Sequence, residues 1–309
     1  MAELAIEALG LRKRFKDIEA LKGIDLRIER GSSFALVGPD GAGKTTAIRL
    51  LCGLVRPDSG SVAAFGSPPS APAAKSRLGY LSQRFSLYGD LSVDENIAFF
   101  AEIHGRRDFA SRRNELLDFT RLGPFRKRLA SRLSGGMRQK LALACALVHE
   151  PELLLMDEPT TGVDPVSRRE FWEIVAGLSR NGMTVIAATP YLDEAERFDR
   201  VGMLASGLFL AEGSPRELKD GFAWDVVELA CVDARRAARL LSGESAEANG
   251  IVAAQAFGDR IALLAEDGRA AMRFALPVLA GAGLAVSSSR IAPPSLENVF
   301  MQLLGGTKG

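Results

Sequence analysis

A glycine-rich segment near the N-terminus has residue types that bind polyphosphate. Its sequence, GPDGAGKTT, fits the pattern G-x-x-x-x-G-K-[ST]. The glycines let successive backbone N–H groups point at one anion, and a following helix N-terminus adds a favourable field. Lys44 would place its charge at the β and γ phosphates, and the Thr45 hydroxyl would ligate Mg²⁺. The predicted phosphate-binding residues are Gly38, Pro39, Asp40, Gly41, Ala42, Gly43, Lys44, Thr45 and Thr46.

The context of this segment favours binding over a chance match. The mostly apolar run SSFALVG precedes it and predicts a buried strand, and the residues after it predict a helix that ends at Gly53. From average composition, on the order of 1% of chains of this length would contain the pattern by chance. The strand-loop-helix context lowers that fraction further.

Two adjacent carboxylates, Asp157 and Glu158, end the apolar run LLLMDE just before Pro159. Asp157 is suited to holding Mg²⁺ through water, and Glu158 to orienting or deprotonating an attacking water. A lone Asp-Glu pair at a strand end is more often a helix cap or a solvated turn. With a phosphate-binding loop upstream, we interpret this pair as catalytic.

A glycine pair also begins the segment LSGGMRQKLALACALV. Ser134 is the predicted N-cap of a helix, and Gly135 and Gly136 fall in the first turn, where a bulky anion could approach the backbone. This segment resembles the signature of ATP-binding cassette (ABC) proteins. Its helix predicts a second place where the chain could contact a phosphate group.

Other landmarks of that family follow in the expected order. Gln83 matches the glutamine loop, LLLMDE matches the Walker B strand, and Asp164 in TTGVDP matches the D-loop. Lys44 and Ser134 are 90 residues apart (134 − 44), and Ser134 and Asp157 are 23 apart (157 − 134). These intervals resemble those of a transporter cassette, which has a compact helical subdomain in the first gap and no coiled coil.

The resemblance implies roles for these residues. Gln83 would act in catalysis together with Lys44 and Glu158, and would ligate the metal together with Thr45 and Asp157. Further nucleotide contacts implied by the resemblance are Phe15, Gln83, Ser134, Gly135, Gly136, Met137 and Asp164. Phe15 would stack on adenine, which by analogy with base stacking elsewhere contributes ~1–3 kcal/mol. The alternative for Phe15 is a core position within the N-terminal strands.

One position departs from the family pattern. The residue after Thr189, a histidine that touches ATP in the family, is Pro190 here. Proline has neither a side-chain donor nor a backbone N–H, so one phosphate contact is missing. The hydroxyls of Thr189 and Tyr191 are candidate replacements. We expect a functional, slower ATPase; the alternative is a degenerate cassette that binds ATP and regulates an active partner.

Composition restricts the classes of partner and compartment. The chain has 39 Lys and Arg against 38 Asp and Glu, a net charge of +1, which offers no broad basic face for nucleic acid. Three separated cysteines, Cys52, Cys145 and Cys231, form no C-x-x-C pair and indicate a reduced cytoplasm. The N-terminus does not resemble a secretion signal, and the apolar run LALACALV is too short to cross a bilayer. Any membrane role is therefore expected to depend on a partner.

The element pattern predicts an α/β fold in two domains, residues 1–220 and 221–309. The first resembles the P-loop ABC ATPase core, a mixed sheet with N-terminal antiparallel strands and a helical subdomain at about residues 84–150. In that subdomain Ser92 and Glu95 form a predicted capping box for a helix ending at Gly105. Strands and helices alternate from 151 to 212 as ELLLMD, PVSRREFWEIVAGLSR, TVIAAT, LDEAERF and RVGMLAS, which predicts a parallel sheet covered by helices.

The second domain is predicted to be a small α+β fold of the split β-α-β type. Its predicted strands are 225–232, 251–256, 260–265 and 284–289, and its predicted helices are 233–242 and 268–280. A final apolar stripe at helical spacing is interpreted mainly as core packing. Its members are Leu296, Val299, Phe300, Leu303 and Leu304.

The C-terminal PPSLENVFMQLLGG and the segment YLDEAER resemble drug-efflux ATPases of the daunorubicin-resistance type, single cassettes that serve a separate permease. This resemblance implies ATP and Mg²⁺ as cofactors and a polytopic membrane permease as partner. It also implies a homodimer or paired cassette closed by ATP, and a place on the cytoplasmic face of the membrane. Phe85, Leu87 and Tyr88 would receive the permease, or pack onto Phe99 and Phe100. No nucleic acid is expected, and a non-transport cassette acting on nucleic acid is the remaining alternative.

Overall fold

The computed structural model describes residues 3–83 and 87–306. The chain divides into two compact units, Met1–Pro215 and Arg216–Gly309. The strands are β1 Leu4–Phe15, β2 Ile18–Glu29, β3 Ser33–Val37, β4 Ser59–Ala64, β5 Leu78–Leu81, β6 Leu153–Asp157, β7 Thr184–Thr189, β8 Arg200–Ala205, β9 Leu208–Gly213, β10 Asp225–Cys231, β11 Ile251–Phe257, β12 Arg260–Ala265 and β13 Val286–Ala292. The helices are α1 Lys44–Leu51, α2 Pro72–Lys75, α3 Val93–Ile103, α4 Ala110–Phe119, α5 Gly135–Leu147, α6 Pro165–Arg180, α7 Leu192–Ala195, α8 Pro215–Asp220, α9 Ala234–Leu240, α10 Glu244–Glu247, α11 Gly268–Gly281 and α12 Leu296–Gly306.

Two sheets build the first unit. The N-terminal strands form an antiparallel sheet in the order β2-β1-β4, and the central sheet has the order β5-β6-β7-β3-β8-β9. The first five strands of the central sheet run parallel, and β9 pairs antiparallel with β8 at the edge. Every residue of β3, β6 and β7 is buried. These strands therefore read as continuous apolar runs, as expected for a parallel sheet covered on both faces.

The central sheet brings the chemically active segments to one edge. The strands β3, β6 and β7 are parallel neighbours, and they end at Val37, Asp157 and Thr189. The loops that follow them must emerge together, because the carboxyl ends of parallel strands meet at the same edge of a sheet. The glycine-rich loop, the Asp-Glu pair and the Pro190 segment are thereby adjacent.

The helical subdomain contains α3, α4 and α5. The predicted capping box is confirmed, because the Ser92 side chain accepts from the Glu95 N–H and the Glu95 carboxylate accepts from the Ser92 N–H. Gly105 follows the helix with φ +69°. Buried Asn96 donates to the carbonyl oxygens of Tyr88, Leu91 and Ser92 through its side-chain amide. These bonds fix the start of α3 to the segment before it.

The second unit has the predicted split β-α-β order. Its four strands form one antiparallel sheet in the order β11-β12-β10-β13, so β12 lies between two strands that run in the same direction. The core between this sheet and the helices α9 and α11 includes Val227, Leu229, Ile261 and Leu263. On α12, Leu296, Val299 and Phe300 are buried, as core packing of that stripe predicts, whereas Leu303 and Leu304 are only half-buried.

Two further predictions concern membranes and thiols. Within residues 3–83 and 87–306, no helix combines the length and apolar character needed to span a bilayer. The cysteines at 52, 145 and 231 are free thiols, and all three are buried.

Candidate functional site

The glycine-rich loop joins β3 to α1 and forms the wall of a cavity of about 260 Å³. Gly43 has φ +108°, and a Cβ there would lie 2.4 Å from the Ala20 carbonyl oxygen, so only glycine fits. The first N–H groups of α1 have no intrahelical acceptor and lie at this loop. The cavity is lined by Ile18, Ala20, Asp40, Gly41, Ala42, Gly43, Lys44, Thr45, Thr46 and Glu158.

The Lys44 side chain is hydrogen-bonded to the backbone of the loop that is predicted to bind phosphate. Its side chain is 3% exposed, and its Nζ donates to the carbonyl oxygens of Gly38 at 2.8 Å and Pro39 at 3.1 Å. The same nitrogen lies 3.3 Å from a carboxylate oxygen of Glu158. The charge of Lys44 is thus positioned between the loop and the predicted catalytic base.

Thr45 and Asp157 meet as the predicted metal ligands. The Thr45 hydroxyl donates to Oδ1 of Asp157 at 2.8 Å, and Asp157 is 1% exposed. Oδ2 of Asp157 is buried and has no hydrogen-bond partner within the part of the chain that the structure describes. Burial raises the pKa of the Asp157 carboxyl, and the bond from Thr45 opposes that shift. A buried carboxylate oxygen beside a hydroxyl is a donor set that fits a hard divalent cation.

Glu158 adopts a strained conformation directly after β6. Its φ is +47°, in the left-handed region that non-glycine residues seldom occupy. Its N–H donates to the Ala188 carbonyl at 2.9 Å. Its carboxylate accepts from the Gln83 side-chain amide at 2.9 Å and lies 3.4 Å from the Thr161 hydroxyl. Glu158 and Gln83, predicted from separate motifs, are therefore in direct contact.

A hairpin tip borders the same cavity. Phe15 ends β1, pairs with Ile18 across a two-residue turn, and is 46% exposed, so the alternative of a core phenylalanine is wrong. Side chains paired across antiparallel strands point to the same face of the sheet. Ile18 lines the cavity and is 72% exposed. The sequence arguments missed Ile18, although an apolar residue just past a turn that follows Phe15 was the available signal.

The signature segment lies at a second cavity, of about 490 Å³; among the described residues, none lines both this cavity and the first. Ser134 caps α5 as predicted, its Oγ accepting from the Met137 N–H at 3.3 Å. Gly136 packs so tightly against α6 that a Cβ would lie 2.4 Å from the Ser167 side chain. Gly135 and Arg138 line the cavity. Among the described residues, the signature segment thus contributes Gly135 and Arg138 to a cavity that Gln83 also lines, and it contributes none to the phosphate-loop cavity.

Asp164 serves as a helix cap. It is the N-cap of α6, and its carboxylate accepts from the Ser167 N–H at 3.0 Å. That bond lowers the pKa of the Asp164 carboxyl. Its predicted contact with nucleotide stays a prediction.

The segment around Pro190 follows β7. Thr189 is fully buried; its hydroxyl donates to the Glu194 carboxylate and accepts from the Tyr191 N–H. This hydroxyl is already engaged inside the protein, so Thr189 is a poor substitute for the missing histidine and that part of the expectation is wrong. The Tyr191 ring lies 4.3 Å from the guanidinium carbon of Arg168. Tyr191 is the remaining candidate donor.

The predicted permease-facing loop is described in part. Phe85 lies outside the described residues, whereas Tyr88 packs its ring against Phe99 with centroids 4.5 Å apart. Beside it a groove of about 340 Å³ opens between β5 and α5. The groove contains two stacked imidazoles, His104 and His149, with centroids 3.7 Å apart. Its other lining residues are Leu78, Tyr80, Leu81, Ser82, Leu87, Phe100, Ala142, Cys145 and Ala146.

Known proteins share this sequence and fold. The family model described as ABC transporter matches residues 21–161. The daunorubicin/doxorubicin resistance ATP-binding protein DrrA of Streptomyces peucetius is 38% identical over 311 residues, covering 97% of this chain and 92% of the relative. The probable multidrug ABC transporter ATP-binding protein YbhF of Escherichia coli is 46% identical over 229 residues, 72% of this chain. The match spans only 40% of YbhF.

A solved structure supports the fold independently. The structure of cbiO1 from Clostridium perfringens, described as part of the ABC transporter complex cbiONQ, aligns with a TM-score of 0.63 at 26% identity. The alignment covers 71% of this chain and 92% of cbiO1.

Proposed function

This chain belongs to the ABC transporter family of ATP-binding subunits, and from that premise we propose that it binds and hydrolyses ATP to drive a separate membrane permease in an export system. The observation that carries this proposal is the convergence of Lys44, Thr45, Asp157 and Glu158 at one edge of the central sheet. Each of these groups has a defined part in phosphoryl transfer to water.

Nucleotide binding would use the loop and the hairpin tip together. The β and γ phosphates would lie against the N-terminus of α1, where Lys44 can exchange its two carbonyl contacts for phosphate oxygens. The adenine would lie on the exposed ring of Phe15, beside Ile18. This arrangement explains why two apolar side chains are exposed next to a polar cavity.

Thr45 and Asp157 would hold Mg²⁺, with Gln83 as the third proposed ligand. The unpartnered Oδ2 of Asp157 supports this assignment. When bound, the cation neutralises charge on the β and γ phosphates.

Hydrolysis would use Glu158 as the base that orients and deprotonates water. Its contact with Gln83 places an amide beside the carboxylate, so Gln83 can hold the base or the water in register. The strained backbone of Glu158 supports its proposed role as the catalytic base, because strain of this kind concentrates at active sites. Lys44 would hold the charge of the γ phosphate through the reaction.

The signature segment would complete the site of a second cassette. The signature segment contains Ser134, Gly135, Gly136 and Met137, and its Gly135 lines a cavity distinct from the phosphate-loop cavity among the described residues. These four residues would contact the γ phosphate bound by a paired cassette, with Asp164 at the same interface. ATP would then close the pair, and hydrolysis would release it.

Export and the permease follow from the named relatives. DrrA and YbhF are named as resistance and multidrug ATP-binding proteins, which supports an export role. The groove that contains Leu87 and Phe100 would receive the permease at the cytoplasmic face of the membrane. The protein would be held there through that partner.

Steady-state phosphate release by the purified chain, with and without its permease, tests the proposal. The wild type should release phosphate, and Glu158→Gln should lower kcat by about 10²–10⁴-fold, the usual contribution of a positioned general base. Glu173→Gln, at an exposed position on α6, is the matched control and should behave as the wild type. No release above the Glu158→Gln background, even with the permease, would instead indicate a cassette that binds ATP without hydrolysing it.

A further inference from the structure

A buried carboxylate joins three segments around Glu158. Glu194 on α7 is 1% exposed, and one of its oxygens accepts from the Thr160 hydroxyl at 2.6 Å and lies 3.1 Å from Nε of Arg168. Its other oxygen accepts from the Thr189 hydroxyl. Thr160 lies two residues after Glu158, Thr189 ends β7, and Arg168 lies on α6. One side chain therefore ties together the loop after β6, the end of β7 and the helix α6.

Arg168 extends this connection to the segment that contains Pro190. Its guanidinium carbon lies 4.3 Å from the centroid of the Tyr191 ring, and it also pairs with Asp193. The Tyr191 N–H donates to the Thr189 hydroxyl at 3.1 Å. Residues 189–191 are thus held in place by Glu194 and Arg168, although Pro190 supplies no side-chain donor of its own.

Glu158 is the residue most dependent on this arrangement. Its φ of +47° is unfavourable for a glutamate, and such a conformation persists only where the surrounding structure imposes it. On one side its N–H is bonded to Ala188, the residue before Thr189. On the other side Thr160 is bonded to Glu194. Both restraints converge on the Glu194 carboxylate.

We propose that Glu194 and Arg168 are positioning residues for ATP hydrolysis, which fix Glu158 and residues 189–191 relative to each other without touching the nucleotide. This inference rests on the proposed ATPase function. Hydrogen bonds to a buried carboxylate are short and strong, so they can hold a strained neighbour in register. Loss of the connection should lower kcat and leave ATP affinity unchanged, because affinity depends on the loop before α1.

The matched pair Thr160→Val and Thr160→Ser tests the proposal. Valine keeps the shape of threonine and removes its hydroxyl, whereas serine keeps the hydroxyl. Thr160→Val should lower kcat between about 10-fold and 10²-fold, the range for a catalytic group displaced by up to 1 Å. KM for ATP and the stoichiometry of fluorescent-nucleotide binding should not change. Thr160→Ser should retain most of the wild-type kcat.

Arg168→Gln, Glu194→Gln and their double variant test the connection from its other end. Each single variant should lower kcat as Thr160→Val does, and the double variant should be less than additive because both act through one contact. Arg169→Gln is the control, since Arg169 is the adjacent, exposed arginine on the same helix. If a variant at position 168 or 194 fails to fold, the kcat of Thr160→Val decides whether the positioning role is correct.

Three results would overturn the inference. If the wild type hydrolyses ATP and Thr160→Val matches its kcat, the positioning role is wrong while the ATPase function stands. If the kcat of the variants falls only as much as the fraction of protein that binds nucleotide, these residues serve folding alone and the inference is wrong. If the wild type releases no phosphate above the Glu158→Gln background, both the inference and the proposed function fail.

Discussion

The phosphate-loop half of the site and the signature half are built in opposite ways. In the first, Lys44 and Asp157 are 3% and 1% exposed, and their polar atoms are directed by contacts with the loop, Thr45 and Glu158. In the second, Ser134 is exposed, and its hydroxyl makes a helix-capping bond at the edge of an open cavity. The first half is preorganised within the chain, whereas in the second Ser134 is exposed and Gly136 is packed against α6. This difference is what we expect if the signature half contacts a nucleotide bound by a second subunit, as proposed above.

Ser134→Asp should show the largest difference between the two halves of the site, because it should lower ATP hydrolysis and leave ATP binding unchanged. Aspartate caps helices as well as serine does, so the melting temperature and the ATP affinity of the single chain should not change. Its negative charge would repel the γ phosphate of a paired subunit, and hydrolysis should fall by about 10²–10³-fold, as for loss of one transition-state donor. Phosphate release and calorimetry measure these quantities. Retained hydrolysis would show that the signature half does not contact nucleotide.

Lys44→Met should weaken ATP binding at the phosphate-loop half of the site. Hydrogen bonds to charged groups contribute about 1.5–3 kcal/mol, which corresponds to roughly 10–10²-fold weaker ATP binding. Titration with a fluorescent nucleotide measures the change, and Lys75→Met, at an exposed lysine, is the control. Equal affinities for the two variants would argue against phosphate binding at the loop.

Substitutions at positions 190 and 191 test which group replaces the histidine that the family has at position 190. Tyr191→Phe should lower kcat about 10-fold, less than the 10²–10³-fold expected for a sole donor, because other groups remain. Pro190→His should hydrolyse ATP at an equal or higher rate. Phosphate release at saturating ATP tests both. A slower Pro190→His variant would mean that the segment works in a different geometry from the family's.

Acid should lower the stability of the folded chain through a buried histidine. His149, just beyond α5, has its pKa lowered to about 4, first by burial and then by His104 and Arg106. The unfolded chain therefore takes up this proton at a higher pH than the folded one, so stability is lost as pH falls from about 6.5 towards 4. The melting temperature should fall over that window, on the order of 2–4 °C for each kcal/mol lost. The melting temperature of the His149→Gln variant should fall less over the same pH range. If it falls as much as that of the wild type, other groups cause the acid sensitivity.

Periodic, capped segments were predictable from the sequence alone. α6 at 165–180, β7 at 184–189 and β12 at 260–265 have the predicted bounds, because apolar periodicity and caps act locally. The phosphate loop and the Asp-Glu pair were also predicted, and the structure brings them together. The antiparallel edge strand β9 was not predicted, since its pairing depends on its neighbour and not on its own residues.

Glu194 illustrates what the sequence could not reveal. LDEAERF reads as a short helix with an acidic first turn, and such carboxylates are usually solvated. Glu194 is buried because Thr160 and Arg168, distant in the chain, supply its partners. The same contacts occupy the Thr189 hydroxyl, which the sequence offered as a replacement donor. The burial of Glu194 and the engagement of the Thr189 hydroxyl both depend on tertiary contacts that no local pattern records.

Sedimentation velocity of Glu158→Gln with and without ATP and Mg²⁺ tests the central claim most directly. The substitution keeps the shape of the site and removes the base, so bound ATP should persist and hold two chains together. The account predicts a monomer or weak association without nucleotide, and a stable dimer with ATP that Ser134→Asp abolishes in the double variant. A monomer under both conditions would contradict the claim that the signature half completes the site of a second subunit.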